Sequence, residues 1–348
     1  MSTSSLTTTA GVRLSVLDLA GVGVGSSVSD ALAATTTLAV RAEQLGYHRF
    51  WVAEHHGMPA VASAAPAVLL AHLGARTSTI RIGSGGVMLP NHAPMVVAEQ
   101  FGTLAALYPG RIDLGLGRAP GSDQLTAYAL RRRMDPSGPD DFGDQIAELV
   151  HFMQADFPAD HPFSTIRTTP AIPVPLYILG SSDYGARLAA RLGLPYAFAH
   201  HFAGAGGNTG AALELYRSQF RPSDVLAEPY PMIGVSALAA DTEDEARYQA
   251  RAGALSMLLL RSGRLQEIPT PEQAAAYPYS AAESDLLRAM GRTEVVGSAE
   301  QVADGLDELA ERFGVRELII STRAHGLDAK LRSMDLIAQA YAAVPAAG

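Results

Sequence analysis

The chain has 348 residues, 48% hydrophobic and 18% charged, which suits a globular enzyme with one large α/β core or two modest ones, and its formal net charge of -9 argues against nucleic acid or an anionic membrane as main partner. The absence of cysteine excludes disulfides, thiolate zinc sites and a cysteine nucleophile. The Ser/Thr-rich start over residues 2–9 has neither the basic nor the apolar part of a signal peptide, and no apolar run reaches membrane-spanning length, so a cytoplasmic enzyme is the expectation.

In chain order, residues 1–10 read as a flexible tail and 14–17 as a first strand. A helix over 30–45 stops at Gly46, a residue suited to the left-handed C-terminal turn. Strands follow at 49–53 and 80–88, with a helix over 64–76 between them. Pro94 opens a helix that ends before Pro109-Gly110, and 112–116 is the fourth strand. A long irregular stretch over 118–140 leads into a helix over 142–153. Strands at 176–179 and 196–199 precede helices over 184–192 and 210–220. The seventh strand is 232–239, and capping boxes at Thr242-x-x-Glu245 and Ser298-x-x-Gln301 open two later helices. Between them, 261–296 shows no clear strand and carries Pro269, Pro271, Pro278 and Gly291, which reads as a lid or a disordered insertion. An eighth strand at 317–321 and a helix over 327–342 close the chain. Eight strand–helix units predict one (β/α)8 TIM barrel over residues 1–348 with a lid insertion. A doubly wound open sheet is the alternative, but no linker-like shift in composition separates two lobes.

Several stretches carry candidate chemistry. Phe50-Trp51-Val52-Ala53-Glu54-His55-His56 ends a strand in an acid and two imidazoles, at the end where barrel chemistry sits. Neighbouring strand residues face opposite ways, so His55 and His56 grip one metal only if the backbone turns, as Gly57 suggests. His55 is the candidate for proton transfer near neutrality; the plain alternative, also for His200-His201, is satisfaction of backbone groups at strand ends. Gly85-Gly86 marks a bulge where a planar ligand can lie against the main chain, or else a bend at a barrel corner. Arg118, at a strand's carboxyl end, is placed either to fork onto a phosphate or carboxylate or as a surface residue. Gly180-Ser181-Ser182 precedes a helix N-terminus, which suits phosphate, or else simple capping by Ser182 or Asp183. Gly21-Val22-Gly23-Val24-Gly25-Ser26 imitates a dinucleotide fingerprint. It lacks the third glycine and a correctly spaced acid, and reads instead as a flexible loop over the barrel mouth.

Taken in order and spacing, these stretches resemble the bacterial luciferase-like flavin monooxygenases over nearly the whole chain. The matching segments are Ser15-Val16-Leu17-Asp18, Trp51 to His56, Arg81 to His92, Gly110 to Arg118, Tyr177 to Ser182 and Val296 to Val302. The resemblance implies a barrel that binds reduced FMN at its mouth, with His55 as active-site histidine and Gly85-Gly86 against the isoalloxazine ring. It places Arg118, Gly180, Ser181 and Ser182 at the phosphate and makes 261–296 a mobile lid. Gly117 stands where luciferase has a cysteine and Gly180 where it has an acid, which points to the non-luminous branch. The implied reaction joins oxygen to an aldehyde, a ketone or an aromatic polyketide. Reduced flavin would come from a separate reductase, and the implied assembly is a homodimer. A deazaflavin-dependent oxidoreductase of the same fold, a non-catalytic flavin carrier and a metal hydrolase barrel are the competing expectations.

Overall fold

Alternation along the strands decides the architecture. A computed structural model describes residues 5–131, 141–202, 208–291 and 293–342. In chain order they form β1 (Arg13–Asp18), α1 (Val28–Leu45), β2 (Arg49–Val52), α2 (Pro66–Arg76), β3 (Arg81–Met88), α3 (Pro94–Leu107), β4 (Ile112–Gly117), α4 (Gln124–Arg131), α5 (Phe142–Gln154), β5 (Leu176–Gly180), α6 (Asp183–Leu192), β6 (Tyr196–Phe198), α7 (Thr209–Gln219), β7 (Pro231–Ala239), α8 (Glu243–Arg261), α9 (Pro271–Ala276), α10 (Ala281–Gly291), β8 (Glu294–Gly297), α11 (Ala299–Phe313), β9 (Glu317–Ser321) and α12 (Leu327–Ala342). Along these strands, Leu14, Phe50, Leu114, Ile233 and Leu318 join the large core between sheet and helices. Their neighbours Trp51, Tyr177, Met232 and Ile319 form a second, smaller core. The period of two thus splits each strand between an outer and an inner face.

The sheet closes. Each of β1 to β6 pairs in parallel with the next, β6 pairs with β7, β7 with β9, and β9 with β1. Leu14 lies beside Leu318 and Tyr196 beside Pro231. An eight-stranded parallel barrel results, and the open sheet is ruled out. The ninth strand, β8, pairs with Ser236–Ala239 at the far end of the long β7.

At the amino ends of the strands the inner face is charged. Arg49 is buried and donates from Nε to Glu317 at 2.7 Å and from Nη1 to Asp113 at 2.7 Å and to the Tyr177 hydroxyl at 2.8 Å. Trp51 Nε1 donates to Asp113 at 3.2 Å, Tyr230 donates to Glu317 at 3.0 Å, and Arg81 and Ser15 bond the two carboxylates as well. Burial, helped by the Asp113 carboxylate, pushes the Tyr177 phenol up to about 12, so it stays protonated. One acid–base cluster therefore plugs the bottom of the barrel, leaving its carboxyl-end mouth for chemistry.

Three local expectations change. The first helix begins earlier, at Val28, because Ser27 and Asp30 form a capping box. Within 261–296 the chain builds α9, α10 and β8; Glu-Val-Val-Gly is too short to announce a strand by pattern. The Gly21–Ser26 loop is fastened: Val22 N–H donates to Ala60, Val24 N–H to Ile268 and Ile268 N–H to Val22, each at 2.9 Å. Of the expected tail, residues 1–4 lie outside the described residues, and Leu6 N–H donates to Gly46 at 2.7 Å. In the stretch 118–140, α4 is helical and 132–140 lie outside the described residues. Among the described residues no helix is long and apolar enough to cross a membrane.

Removing one member of the bottom cluster strands buried charge. Arg49→Met is expected to lower unfolding free energy by about 3–5 kcal/mol. Arg41→Met, which breaks a partly exposed pair with Asp335, should cost only about 1 kcal/mol. Denaturant midpoints of the two variants against the parent give the measurement.

Candidate active site

β2 delivers Glu54-His55-His56 to the mouth, and the backbone turns there, with Gly57 at φ 67°. The turn separates the three side chains. His55 Nδ1 lies 3.3 Å from the Gly121 carbonyl. A carbonyl only accepts, so Nδ1 carries the proton and Nε2 keeps its lone pair. Burial lowers the His55 pKa, against the raising effects of Gly121 and Glu54. The imidazole is therefore neutral near pH 7 and presents a proton acceptor. His56 turns to the Glu54 carboxylate, its Nε2 2.8 Å from Oε1, and its backbone N–H donates to the same Gly121 carbonyl at 3.0 Å.

Glu54 is wholly buried. Besides His56 it holds His92 Nε2 at 2.8 Å and the Met88 N–H at 3.0 Å. Burial pushes its pKa up, but hydrogen bonds from His92, His56 and Met88 outweigh that and hold it below the ordinary carboxylate value. Glu54 is thus an anionic tie between the ends of β2 and β3.

His55 opens onto a cleft that also takes in Gly85, Arg118, Gly180, Ser181 and Ser182, with Leu17, Trp51 and Leu179 on its apolar side. The Gly85–Gly86 peptide is cis, and the pairing of β3 with β4 shifts register between Ser84 and Val87. A Cβ on Gly85 would stand 2.8 Å from Leu17 Cδ1 and 3.1 Å from Trp51 Cε3, so any larger residue would have to displace Leu17 and crowd Trp51. Gly86 is absent from the cleft wall; its Cα backs onto β4, where a Cβ would meet the Gly115 carbonyl at 2.6 Å.

Across the cleft, the Arg118 guanidinium carbon lies 4.0 Å from the ring centre of Tyr184, in the first turn of α6. Ser182 is the N-cap of that helix, yet its side chain makes no capping bond. Simple capping by Ser182 is therefore not its role. First-turn N–H groups, two hydroxyls and a guanidinium meet at one end of the cleft. Asp183, the acid of this turn, accepts from the Asn208 amide at 3.1 Å.

Sequence reasoning underrated His201. It lines the same cleft as His55, and its Nδ1 donates to the Gly234 carbonyl at 2.9 Å. Burial, aided by Arg323, lowers its pKa to about 4. A Cβ on Gly234 would stand 2.8 Å from the imidazole, so that glycine, alone in an apolar strand, was the available signal. The plain reading, a backbone group satisfied by a histidine, describes the His201 bond to Gly234; His200 is buried and instead meets a side chain, with Nδ1 2.9 Å from Thr209 Oγ1. A second cavity adjoins the cleft and shares His55, Leu19 and Phe202 with it; its walls include Asp18, Arg323, Lys330 and Ile268.

The model of luciferase-like monooxygenases matches residues 12–317. The chain belongs to this family. A luciferase-like monooxygenase of Escherichia coli K12 is 44% identical over 328 residues, covering 93% of this chain and 96% of its own. The N-acetyl-S-alkylcysteine monooxygenase of Bacillus subtilis is 35% identical over 334 residues, covering 95% of this chain and 99% of its own. Among solved structures, apo-MsnO8 superposes with a TM-score of 0.85 at 35% identity, over 96% of this chain and 98% of its own. The oxygenating component of 3,6-diketocamphane monooxygenase from Pseudomonas putida, in complex with FMN, shares the fold at 18% identity with a TM-score of 0.70, over 95% and 98%. The luciferase-like monooxygenases are enzymes, and this one has its mouth built around two neutral histidines.

His201 links this site to acid stability. Its folded pKa of about 4 lies below the ordinary 6.5, so its stabilising contribution is complete above pH 6.5 and fades as pH falls towards 4. His201→Asn, which keeps a donor for Gly234, should flatten the loss of stability between those two values. Thermal unfolding across that range reads the slope.

Proposed function

We propose that the protein is a flavin-dependent monooxygenase that uses reduced FMN and oxygen on a small organic substrate. The observation that carries this reading is the single cleft lined by both His55 and Arg118, with Arg118 beside the start of α6. The residues fit the cofactor. The Gly85 bulge offers a flat main-chain surface free of side chains, and the Arg118 end offers cationic and N–H groups suited to a phosphate. Bound reduced FMN supplies the two electrons by which oxygen gives one atom to substrate and the other to water.

The chain supplies position, dryness and a proton acceptor. Leu17, Trp51 and Leu179 keep water from the reacting end of the cleft. His55 Nε2 takes and returns a proton at the site of oxygen transfer, with Gly121 fixing the tautomer. Segment 261–296 serves as the lid: its Arg264, Leu265, Gln266 and Ile268 wall the adjoining cavity. We further propose a separate reductase as the source of reduced flavin, since the Gly21–Ser26 loop lacks a dinucleotide fingerprint, and a homodimer as the assembly.

Oxygen uptake with reduced FMN, tested against aldehydes, ketones, aromatic polyketides and N-acetyl-S-alkylcysteines, checks the reaction. Substrate-dependent product formation is expected; turnover with a reduced deazaflavin in its place, and none with FMN, would overturn the reading. His55→Ala is expected to leave flavin affinity nearly unchanged and slow oxygenation roughly 10²-fold, measured as product formed per oxygen consumed. Arg118→Ala should weaken FMN about 10- to 100-fold and riboflavin by much less, because only FMN carries the phosphate. Equal losses by fluorescence titration would remove Arg118 from the phosphate.

A further inference from the structure

We infer that the second cavity is a substrate pocket that takes an apolar body bearing a carboxylate, with Arg323 as the anchor. The inference rests on the proposed role of His55, which the cavity shares with the flavin cleft. Its walls are mainly apolar, with Met58, Val61, Met257, Leu260 and Ile268 among them. Besides His55, four ionisable groups join them: Asp18, Arg264, Arg323 and Lys330.

Three of the four are provided for. Asp18 accepts from Thr35 Oγ1 at 2.6 Å and the Ala20 N–H at 3.0 Å, and lies 3.6 Å from Lys330 Nζ. Arg264 donates to Tyr277 and to Glu283, each at 2.7 Å. Arg323 is different. Its Nε reaches Ser236 Oγ and its Nη2 reaches Glu294 Oε1 only at 3.3 Å, and its buried Nη1 has no acceptor among the described residues. Burial raises the Glu294 pKa against the effect of Arg323, so that partner is itself poorly solvated as an anion. Lys330 has only its 3.6 Å approach to Asp18, but Arg323 Nη1 is the cavity-lining donor that is fully buried without an acceptor among the described residues.

The backbone that carries it is held in place, while the guanidinium itself is tied only by the two 3.3 Å bonds. Arg323 follows β9 at the carboxyl end of the barrel, and Gly253 of α8 packs directly on the Arg323 carbonyl. A buried guanidinium N–H without an acceptor is unfavourable, and a planar carboxylate matches its fork better than a hydroxyl or a carbonyl does. A small tilt of the side chain brings Nη1 to such a ligand, while the apolar walls take the remainder of the molecule.

Ligand-observed NMR on the FMN-loaded full chain tests this with hexanoate, its neutral isostere hexanamide, and hexylammonium. Hexanoate is expected to bind at least tenfold more tightly than either. Arg323→Met should abolish that preference while leaving hexanamide within twofold, and Arg323→Lys should keep part of it. Leu260→Trp, which fills the cavity without changing charge, should weaken hexanoate and hexanamide alike and covers the case of a poorly folded Arg323 variant. Equal affinity of hexanoate and hexanamide for the parent protein, or an undiminished preference in Arg323→Met, would overturn the assignment. FMN affinity, followed separately by absorbance, reports the flavin reading, so failure of one is distinct from failure of the other.

Discussion

The Arg49–Glu317–Asp113 cluster is the constraint on which the barrel depends. These side chains come from β2, β9 and β4, and Ser15, Arg81 and Tyr177 bring in β1, β3 and β5. Slipping any of these strands by one residue would turn its polar group out among the helices and leave the others unpaired. The cluster thus fixes strand register at the bottom, and register there fixes which residues reach the top.

From that register the mouth follows. Trp51 lies two residues beyond Arg49 on the same face of β2, and its indole both reaches Asp113 below and borders the cleft above. A Cβ at Gly85 would crowd Leu17 and Trp51, and glycine there leaves bare main chain facing the cleft. At the top, Glu54 replaces the bottom cluster as the organising charge. Its bonds to His56, His92 and Met88 hold the ends of β2 and β3 together, and His55 and His56 share the Gly121 carbonyl. Two adjacent histidines, equivalent in the sequence, thereby acquire different tasks.

Both histidines that face the cleft are kept neutral by burial and tied at Nδ1 by a carbonyl. An apolar site that holds neutral imidazoles suits chemistry in which a proton must be moved without bulk water. The neighbouring cavity differs in character, with charged groups set into an apolar wall, and the division between the two spaces runs at His55.

The sequence by itself determined the eight strands of the closed barrel, the glycine bulge at Gly85 inside β3, and the positions of His55, Arg118, Ser181 and Ser182 beyond strand ends, because period and punctuation are local properties of the chain; β8, a short strand outside the ring, was not legible there. Only the tertiary structure decided closure, since β6 meeting β7 and β9 meeting β1 are pairings between segments far apart or of equal local character. It also decided that His201 joins the cleft while His200 is buried, that Glu54 ties strands, that Gly86 lies behind the wall, and that Glu294 starts a strand beside Arg323. Each of these depends on which distant group answers a hydrogen-bonding atom, and no window of neighbouring residues contains that partner.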